Sequence, residues 1–166
     1  MDVSGSMGMM QKYLCRAFFW LLDAFVRTQY KNVETVYIIH HTTAKEVTQD
    51  LFFHTIESGG TSCSSAYELA LEIIERRYPP EKWNIYAFHM SDGDNWADDN
   101  EIALAMAAEL AELCNLFGYG QVSGWFDDMF DEDAVDWDTM FQVLTPLAEA
   151  HKNVRLVRIK TVEDVY

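Results

Sequence analysis

The chain is poor in basic residues. It carries 12 lysines and arginines against 27 aspartates and glutamates in 166 residues, which gives a formal net charge of −15. This balance argues against a nucleic acid or an anionic membrane as partner, because phosphate binding needs a basic face. It favours cations or basic protein surfaces, and it is equally compatible with a charge that only keeps the protein dissolved.

Cysteine is also scarce. The chain has three cysteines, an odd number, at Cys15, Cys63 and Cys114. They are widely spaced and form no CxxC motif. We therefore expect reduced thiols and a cytoplasmic protein rather than a disulfide framework. No apolar run reaches the length of a membrane span.

Apolar residues are abundant, by contrast, at 49% of the chain, and aromatic residues make up 14%. A chain of 166 residues with this composition can bury a core, so we expect residues 1–166 to form one folded domain. The pattern alternates helices with strands. The predicted helices are 9–29, 64–77, 101–116 and 139–150, and the predicted strands are 33–40, 45–53, 83–90, 119–123 and 154–159, with 45–53 at a sheet edge. Such alternation predicts an α/β fold with a mostly parallel sheet and helices on both faces.

Polar loops precede several of the predicted helices. They read D-V-S-G-S at 2–6, G-G-T at 59–61 and S-D-G-D-N at 91–95. Because loops of this kind gather at the carboxyl edge of a parallel sheet, we expect their oxygen-bearing side chains to converge. These candidate site residues are Asp2, Ser4, Ser6, Thr61 and Asp92.

This set of oxygen donors suits a hard divalent cation, Mg²⁺ or Mn²⁺. Ser4 and Ser6 lie two residues apart, so an extended backbone can aim both hydroxyls the same way. We expect direct ligation by Ser4, Ser6 and Thr61, with Asp2 and Asp92 bound directly or through water. Neutral hydroxyl ligands would leave the metal able to accept a carboxylate from another molecule.

Taken in order, D-x-S-x-S, Gly60-Thr61 and Ser91-Asp92-Gly93 resemble the metal-ion-dependent adhesion site of von Willebrand factor A domains. The resemblance implies a Rossmann-like, mostly parallel sheet with helices on both faces. It also implies a metal at the loops named above, which binds protein partners through an acidic residue of the partner.

A narrower resemblance is to the bacterial YeaH/YhbH family, which is linked to stress response and sporulation. It rests on the segments 1–7, 30–33, 36–38, 40–42, 44–47, 59–61, 83–87 and 91–98. The likeness is close up to about residue 100 and looser beyond. It implies a PrkA-type serine kinase or a SpoVR-like protein as partner.

In von Willebrand A domains a central strand runs directly into D-x-S-x-S. No strand precedes Asp2 in this sequence. We therefore expect 1–166 to be a fragment of a longer protein that lacks its usual first central strand. The sheet should then carry a gap at that position, and Asp2, Ser4 and Ser6 should lack a fixed anchor.

Alternatives for the polar residues remain open. Ser4, Ser6 and Thr61 could cap helices or shape turns instead of binding metal. Asp94 and Asn95 could be outer ligands or part of a solvated turn. Histidines adjacent on a strand point to opposite faces, so His40 and His41 make a poor chelate. His54 and His89 are equally weak metal candidates.

The acidic segment 127–138 lacks the glycine and the terminal glutamate of an EF-hand loop. A solvated segment or a docking loop for a basic partner fits it better.

We expect no enzymatic activity and a divalent-metal-dependent protein-interaction module. The alternatives are a Mg²⁺-dependent phosphohydrolase with Asp2 as nucleophile, or a structural domain with a non-functional metal site. The phosphohydrolase needs an acid two residues after the nucleophile, and Ser4 occupies that place. Cys63 has no base beside it in sequence, so we expect an inert thiol.

Overall fold

Helices and strands alternate along the computed structural model, which describes residues 1–55, 57–123 and 139–165. The helices are α1 Met9–Gln29, α2 Gln49–His54, α3 Cys63–Arg77, α4 Asn100–Leu113 and α5 Met140–Ala150. The strands are β1 Tyr37–His40, β2 Ala44–Val47, β3 Tyr86–Ser91, β4 Leu116–Val122 and β5 Val154–Ile159. Short 3-10 turns lie at Ala97–Asp99 and Val162–Val165. The predicted docking segment 127–138 lies outside the described residues.

The sheet confirms the predicted α/β class. Strands β3, β4 and β5 form a parallel sheet in that order, and α4 and α5 provide the crossovers between them. In register, Tyr86 pairs with Leu116 and Phe117 with Val154. Strands β1 and β2 form an antiparallel hairpin. The chain is therefore α/β with a three-stranded parallel sheet flanked by helices.

The predicted strand 45–53 is wrong in its second half. Strand β2 ends at Val47, and α2 follows at once. The Thr48 hydroxyl accepts a hydrogen bond from the amide of Leu51 over 3.3 Å, which caps the new helix. Phe52 is buried on the inner side of α2. An apolar run behind a threonine cap thus becomes a helical turn rather than an edge strand.

Strand β4 begins earlier than predicted because its glycines conceal it. Glycine weakens the sequence signal of a strand, yet Gly118 and Gly120 lie inside β4. A Cβ on Gly118 would lie 2.7 Å from Cδ1 of Phe88 on the neighbouring strand. The missing side chains therefore make room for the bulky residues of β3.

Apolar side chains form two cores. The larger core joins α3, α4 and α5 to the sheet around Tyr67, Leu110 and Phe117. In the second core, Leu14 of α1 and Phe52 of α2 lie in one cluster with Ile39 and Met90. Among the described residues, no helix combines the length and apolarity needed to cross a membrane.

Residues 1–3 lie between β1 and β3. The amide of Asp2 donates to the carbonyl of Met90 over 2.9 Å, and the amide of Val3 donates to the carbonyl of His40 over 2.8 Å. Asp2 forms a parallel bridge with His40, and Asp2 and Ser4 have no exposed surface. The expectation that these two residues lack a fixed anchor is wrong, because the strands on either side supply one.

A cavity of about 570 Å³ lies beside Met1. Its lining includes Met1, Ile38, Ile74, Phe88, Leu110 and Phe117.

Candidate metal centre

The first polar loop is held by hydrogen bonds to both oxygens of Asp2. Its Oδ1 accepts from the amide of Ser4 over 2.7 Å, and its Oδ2 accepts from the hydroxyl of Ser91 over 2.9 Å. The second bond ties the loop to the end of β3. Asp2 therefore has a single, buried side-chain position.

Ser4 and Ser6 extend the set of oxygens towards the surface. Their hydroxyl oxygens lie 3.1 Å apart, and either hydroxyl can donate. Ser4 is buried, whereas Ser6 is exposed. The loop thus presents a row of oxygens that begins in the interior at Asp2 and opens to solvent at Ser6.

The second loop packs against the first and the third. The amide of Gly5 donates to the carbonyl of Gly59 over 2.9 Å, and the amide of Trp96 donates to the carbonyl of Thr61 over 3.2 Å. Thr61 is buried. These backbone bonds place Thr61 beside the first and third polar loops.

Asp92 stands in the third loop, at the turn that ends β3. The turn needs glycine because Gly93 has φ +100°, and a Cβ there would lie 2.7 Å from the side chain of Gln121. Oδ1 of Asp92 accepts from the amide of Asp94 over 3.1 Å. Oδ2 is buried and has no hydrogen-bond partner of ordinary geometry within the described residues.

The environment of Asp92 disfavours an isolated negative charge. Burial raises the pKa of Asp92 to about 6, an interaction with the Ser6 hydroxyl opposes that rise, and the Asp2 carboxylate adds to it. An unpartnered carboxylate oxygen beside a second buried carboxylate is costly without a positive charge. The residues present therefore fit a hard divalent cation, for which carboxylate and hydroxyl oxygens are suitable ligands.

The hydroxyl residues of the polar loops do not cap α1 or α3. The residue at the N-cap of α1 is Gly8, and the residue at the N-cap of α3 is Ser62. Ser4, Ser6 and Thr61 stand at neither position. Their hydroxyls are free of that role.

The third loop and the 3-10 turn that follows it cap α3 through residues that are distant in sequence. Oδ1 of Asn95 accepts from the amide of Cys63 over 2.9 Å, and Oδ2 of Asp99 accepts from the amide of Ser64 over 3.0 Å. A solvated turn at Asn95 is therefore wrong. Sequence reasoning missed Asp99, because nothing local relates it to a helix 35 residues earlier. Asp99 thereby fixes the start of α3, two residues after Thr61.

A buried cluster lies under the polar loops, and sequence reasoning missed it as well. Nε2 of His40 and Nε2 of His89 are 2.8 Å apart, and Nδ1 of His89 is 2.8 Å from the hydroxyl of Tyr67. The ligand atoms of His40, Cys63 and His89 all lie within 4.8 Å of one another. The three residues belong to β1, α3 and β3. The pattern of neighbouring histidines in the sequence therefore could not predict that they meet.

The other histidines have ordinary surface contacts. Nδ1 of His41 accepts from the amide of Thr42 over 2.6 Å, and His54 is exposed on α2 with Nδ1 2.8 Å from the carbonyl of Asp50.

Exposed apolar side chains stand near the oxygens. Met9 and Met10 begin α1 just after Ser6, and they are 92% and 57% exposed. Trp96 is 51% exposed and packs on Gly60, where a Cβ would lie 2.6 Å from the indole Cζ2 atom. Contiguous exposed apolar patches are typical of protein-binding surfaces. We call Met9, Met10 and Trp96 the apolar rim.

Fold and site together define an α/β protein with a candidate cation site at the carboxyl edge of its sheet. The chain belongs to the family described as "Protein of unknown function (DUF444)", whose profile matches residues 1–166. The resemblance to the YeaH/YhbH proteins is confirmed at the level of this bacterial family.

Curated relatives carry the family name UPF0229. The chain is 61% identical over 122 residues to the UPF0229 protein of Ruminiclostridium cellulolyticum, which is 74% of this chain and 31% of that protein. It is 52% identical over 123 residues to a UPF0229 protein of Bacillus cereus strain G9842, again 74% of this chain and 32% of the relative. The matched region thus spans about a third of the length of these relatives.

Proposed function

We propose that this chain is a divalent-metal-dependent protein-interaction module with a von Willebrand A-like fold. Asp2, Ser4, Ser6, Thr61 and Asp92 would hold Mg²⁺ or Mn²⁺ in a metal-ion-dependent adhesion site. When bound, the ion supplies a Lewis-acidic position for one oxygen ligand of a partner.

The proposal rests chiefly on the burial, the hydrogen bonding and the pKa of the Asp92 carboxyl group. Its Oδ2 is buried without a hydrogen-bond partner of ordinary geometry, and its pKa is raised to about 6, chiefly by burial. Buried carboxylates are normally paired or coordinate metals. A cation between Asp92 and the hydroxyl of Ser6 would satisfy this oxygen and offset the repulsion from Asp2.

A partner carboxylate is the fitting outside ligand, because hard cations prefer carboxylate oxygen. The net charge of −15 repels an acidic partner at long range. At physiological salt this repulsion is screened beyond about 8 Å, whereas a metal–carboxylate bond acts at contact. Binding therefore depends on the ion, and the overall negative charge disfavours partners that lack a well-placed acidic residue.

The apolar rim supports a protein rather than a small molecule as partner. Met9 and Trp96 would cover apolar surface of the partner around the metal-bound acid, which excludes water from the contact. The family resemblance suggests a PrkA-type serine kinase or a SpoVR-like protein. The matched region covers about a third of the length of the relatives. The partner of a whole protein of this family is therefore proposed here as well.

The test is affinity capture from bacterial lysate with Mg²⁺ and with EDTA. We expect recovery of a partner in Mg²⁺ that is lost in EDTA and in Asp92→Ala. Asp98→Ala is the matched control, because Asp98 is exposed in the same loop region. Equal recovery with Mg²⁺ and EDTA would remove the metal from the mechanism.

A further inference from the structure

His40, Cys63 and His89 form a second cluster of metal-ligating groups in the interior. The exposed fractions of their side chains are 0%, 0% and 5%. Their ligand atoms lie within 4.8 Å of one another. Two imidazoles and a thiol are softer donors than the oxygens of the polar loops, so the two groups suit different ions.

The elements that carry the cluster hold it firmly. His40 ends β1 and pairs with Asp2, and His89 lies inside β3, where it pairs with Tyr119. Cys63 is the first residue of α3, and Asn95 binds its amide. The ligands therefore sit on strands and a capped helix end rather than on loops, as a preorganised site requires.

An outer partner orients one of the ligands. The hydroxyl of Tyr67 lies 2.8 Å from Nδ1 of His89, which leaves Nε2 to face His40. Metal-ligating histidines commonly use their second ring nitrogen in this way, and the bond fixes the tautomer and the ring.

The two imidazoles face each other in the interior through their Nε2 atoms. The Nε2 atoms, 2.8 Å apart, can share one proton. Burial lowers the pKa of His40 to about 4 and that of His89 well below its usual value, so both rings are neutral and able to ligate.

We propose that His40, Cys63 and His89 bind one transition-metal ion of the Zn²⁺ class. Each histidine supplies Nε2 and Cys63 supplies its sulfur. Two Zn–N bonds of about 2.0–2.1 Å at a tetrahedral angle separate the nitrogens by about 3.3 Å, so the imidazoles need to part by only about 0.5 Å. A fourth position is left for water or another ligand.

Charge and protons balance in this step. The Cys63 S–H bond breaks, a Zn–S bond forms, and that proton passes to buffer. The proton shared by the two Nε2 atoms moves to Nδ1 of the ring that carried it, so that both Nε2 lone pairs bind the ion. The dication then meets one thiolate, and the Asp2 carboxylate, which interacts electrostatically with both His40 and Cys63, supplies a second negative charge nearby. While the oxygen site holds no ion, the thiolate and the Asp2 carboxylate together offset the charge of the dication.

Metal retention by the full 166-residue chain tests the proposal. The chain is loaded with Zn²⁺ or Co²⁺ in excess Mg²⁺, which competes for the oxygen site, and is then desalted. We expect one retained ion per chain and, with Co²⁺, a thiolate-to-metal charge-transfer band. Calorimetry in two buffers of different ionisation enthalpy should show about one proton released per ion.

Variants identify the ligands. Cys63→Ser should lose the charge-transfer band and the retained ion, whereas Cys114→Ser, at another buried cysteine, should keep both. Tyr67→Phe keeps the ring in the core and should weaken Zn²⁺ binding by about 10–100-fold. Asp98→Ala, at an exposed carboxylate outside both proposed sites, should leave retention unchanged.

The histidine pair would instead be a metal-free hydrogen bond if the unmodified chain retained no ion and showed no charge-transfer band. Retention that is equal in Cys63→Ser and the unmodified chain, at matched circular dichroism, would also overturn the assignment.

Discussion

Ser91 and Asp2, 89 residues apart in the chain, are joined by a buried hydrogen bond in which the Ser91 hydroxyl donates to Oδ2 of Asp2 over 2.9 Å. The same hydroxyl accepts from the amide of Gly93 over 3.1 Å. One side chain thus fixes both the first acidic residue of the candidate metal centre and the turn that carries Asp92.

Ser91→Ala should therefore damage the site without removing a proposed ligand. It leaves one oxygen of Asp2 unpaired in the interior, which costs about 1–3 kcal/mol of unfolding free energy. We also expect Mg²⁺ affinity to fall by about 10-fold or more, as for outer-shell partners of metal ligands. Urea denaturation and calorimetric titration measure the two effects.

Thr145→Val is the control, because the Thr145 hydroxyl donates to the carbonyl of Phe141 within α5. It should leave Mg²⁺ affinity unchanged. Loss of affinity in both variants would mean that global stability, and not the bond to Asp2, governs the site.

Asp99→Ala should destabilise the start of α3. Asp99 accepts from the amide of Ser64 and the hydroxyl of Ser62, and helix caps of this kind are worth about 0.5–2 kcal/mol. We expect a lower midpoint of urea denaturation with an unchanged slope. Because Thr61 directly precedes Ser62, the N-cap residue of α3, Mg²⁺ affinity should fall as well.

Asp98→Ala removes the neighbouring carboxylate, which is exposed. Its unfolding free energy should stay within about 0.5 kcal/mol of the unmodified chain. Equal destabilisation by both variants would show that charge, and not the cap, is responsible.

Trp96→Ala should weaken partner capture by about 30-fold, which is typical of an interface tryptophan. Trp96 is 51% exposed on the apolar rim, so its loss should affect the fold little. Mg²⁺ affinity should change by less than a few-fold. Trp20→Ala is the matched control, because Trp20 is 62% exposed on α1 among residues that line a different surface pocket. Comparable capture by both variants would place the partner elsewhere.

A phosphatase screen with Mg²⁺ separates the interaction module from the phosphohydrolase alternative. Asp2 has no exposed surface, and both of its oxygens accept hydrogen bonds, so it is poorly placed to attack a phosphoester. We expect no turnover above that of Asp2→Asn. Activity that disappears in Asp2→Asn would favour the enzyme.

Much of the fold could be predicted from the sequence. The helical spacing of apolar residues predicted α1 and α3, and the β-branched run at 154–159 predicted β5. Errors arose where a local signal was ambiguous. Leu51 and its apolar neighbours suit a strand or a buried helical turn, and only the cap at Thr48 separates the two. The glycines of β4 leave space for side chains of the neighbouring strand β3, which the local sequence does not reveal.

The sequence by itself determined which chemical groups stand at the loop positions and in what order. The oxygens of Asp2, Ser4 and Ser6 could be recognised because their spacing lies within five residues of chain, where backbone periodicity dictates direction. Only the tertiary structure decided that residues 1–3 lie between two strands, that Asp99 caps α3, and that His40, Cys63 and His89 meet. Those contacts join elements tens of residues apart, and their geometry depends on how sheet and helices pack, which no local pattern encodes.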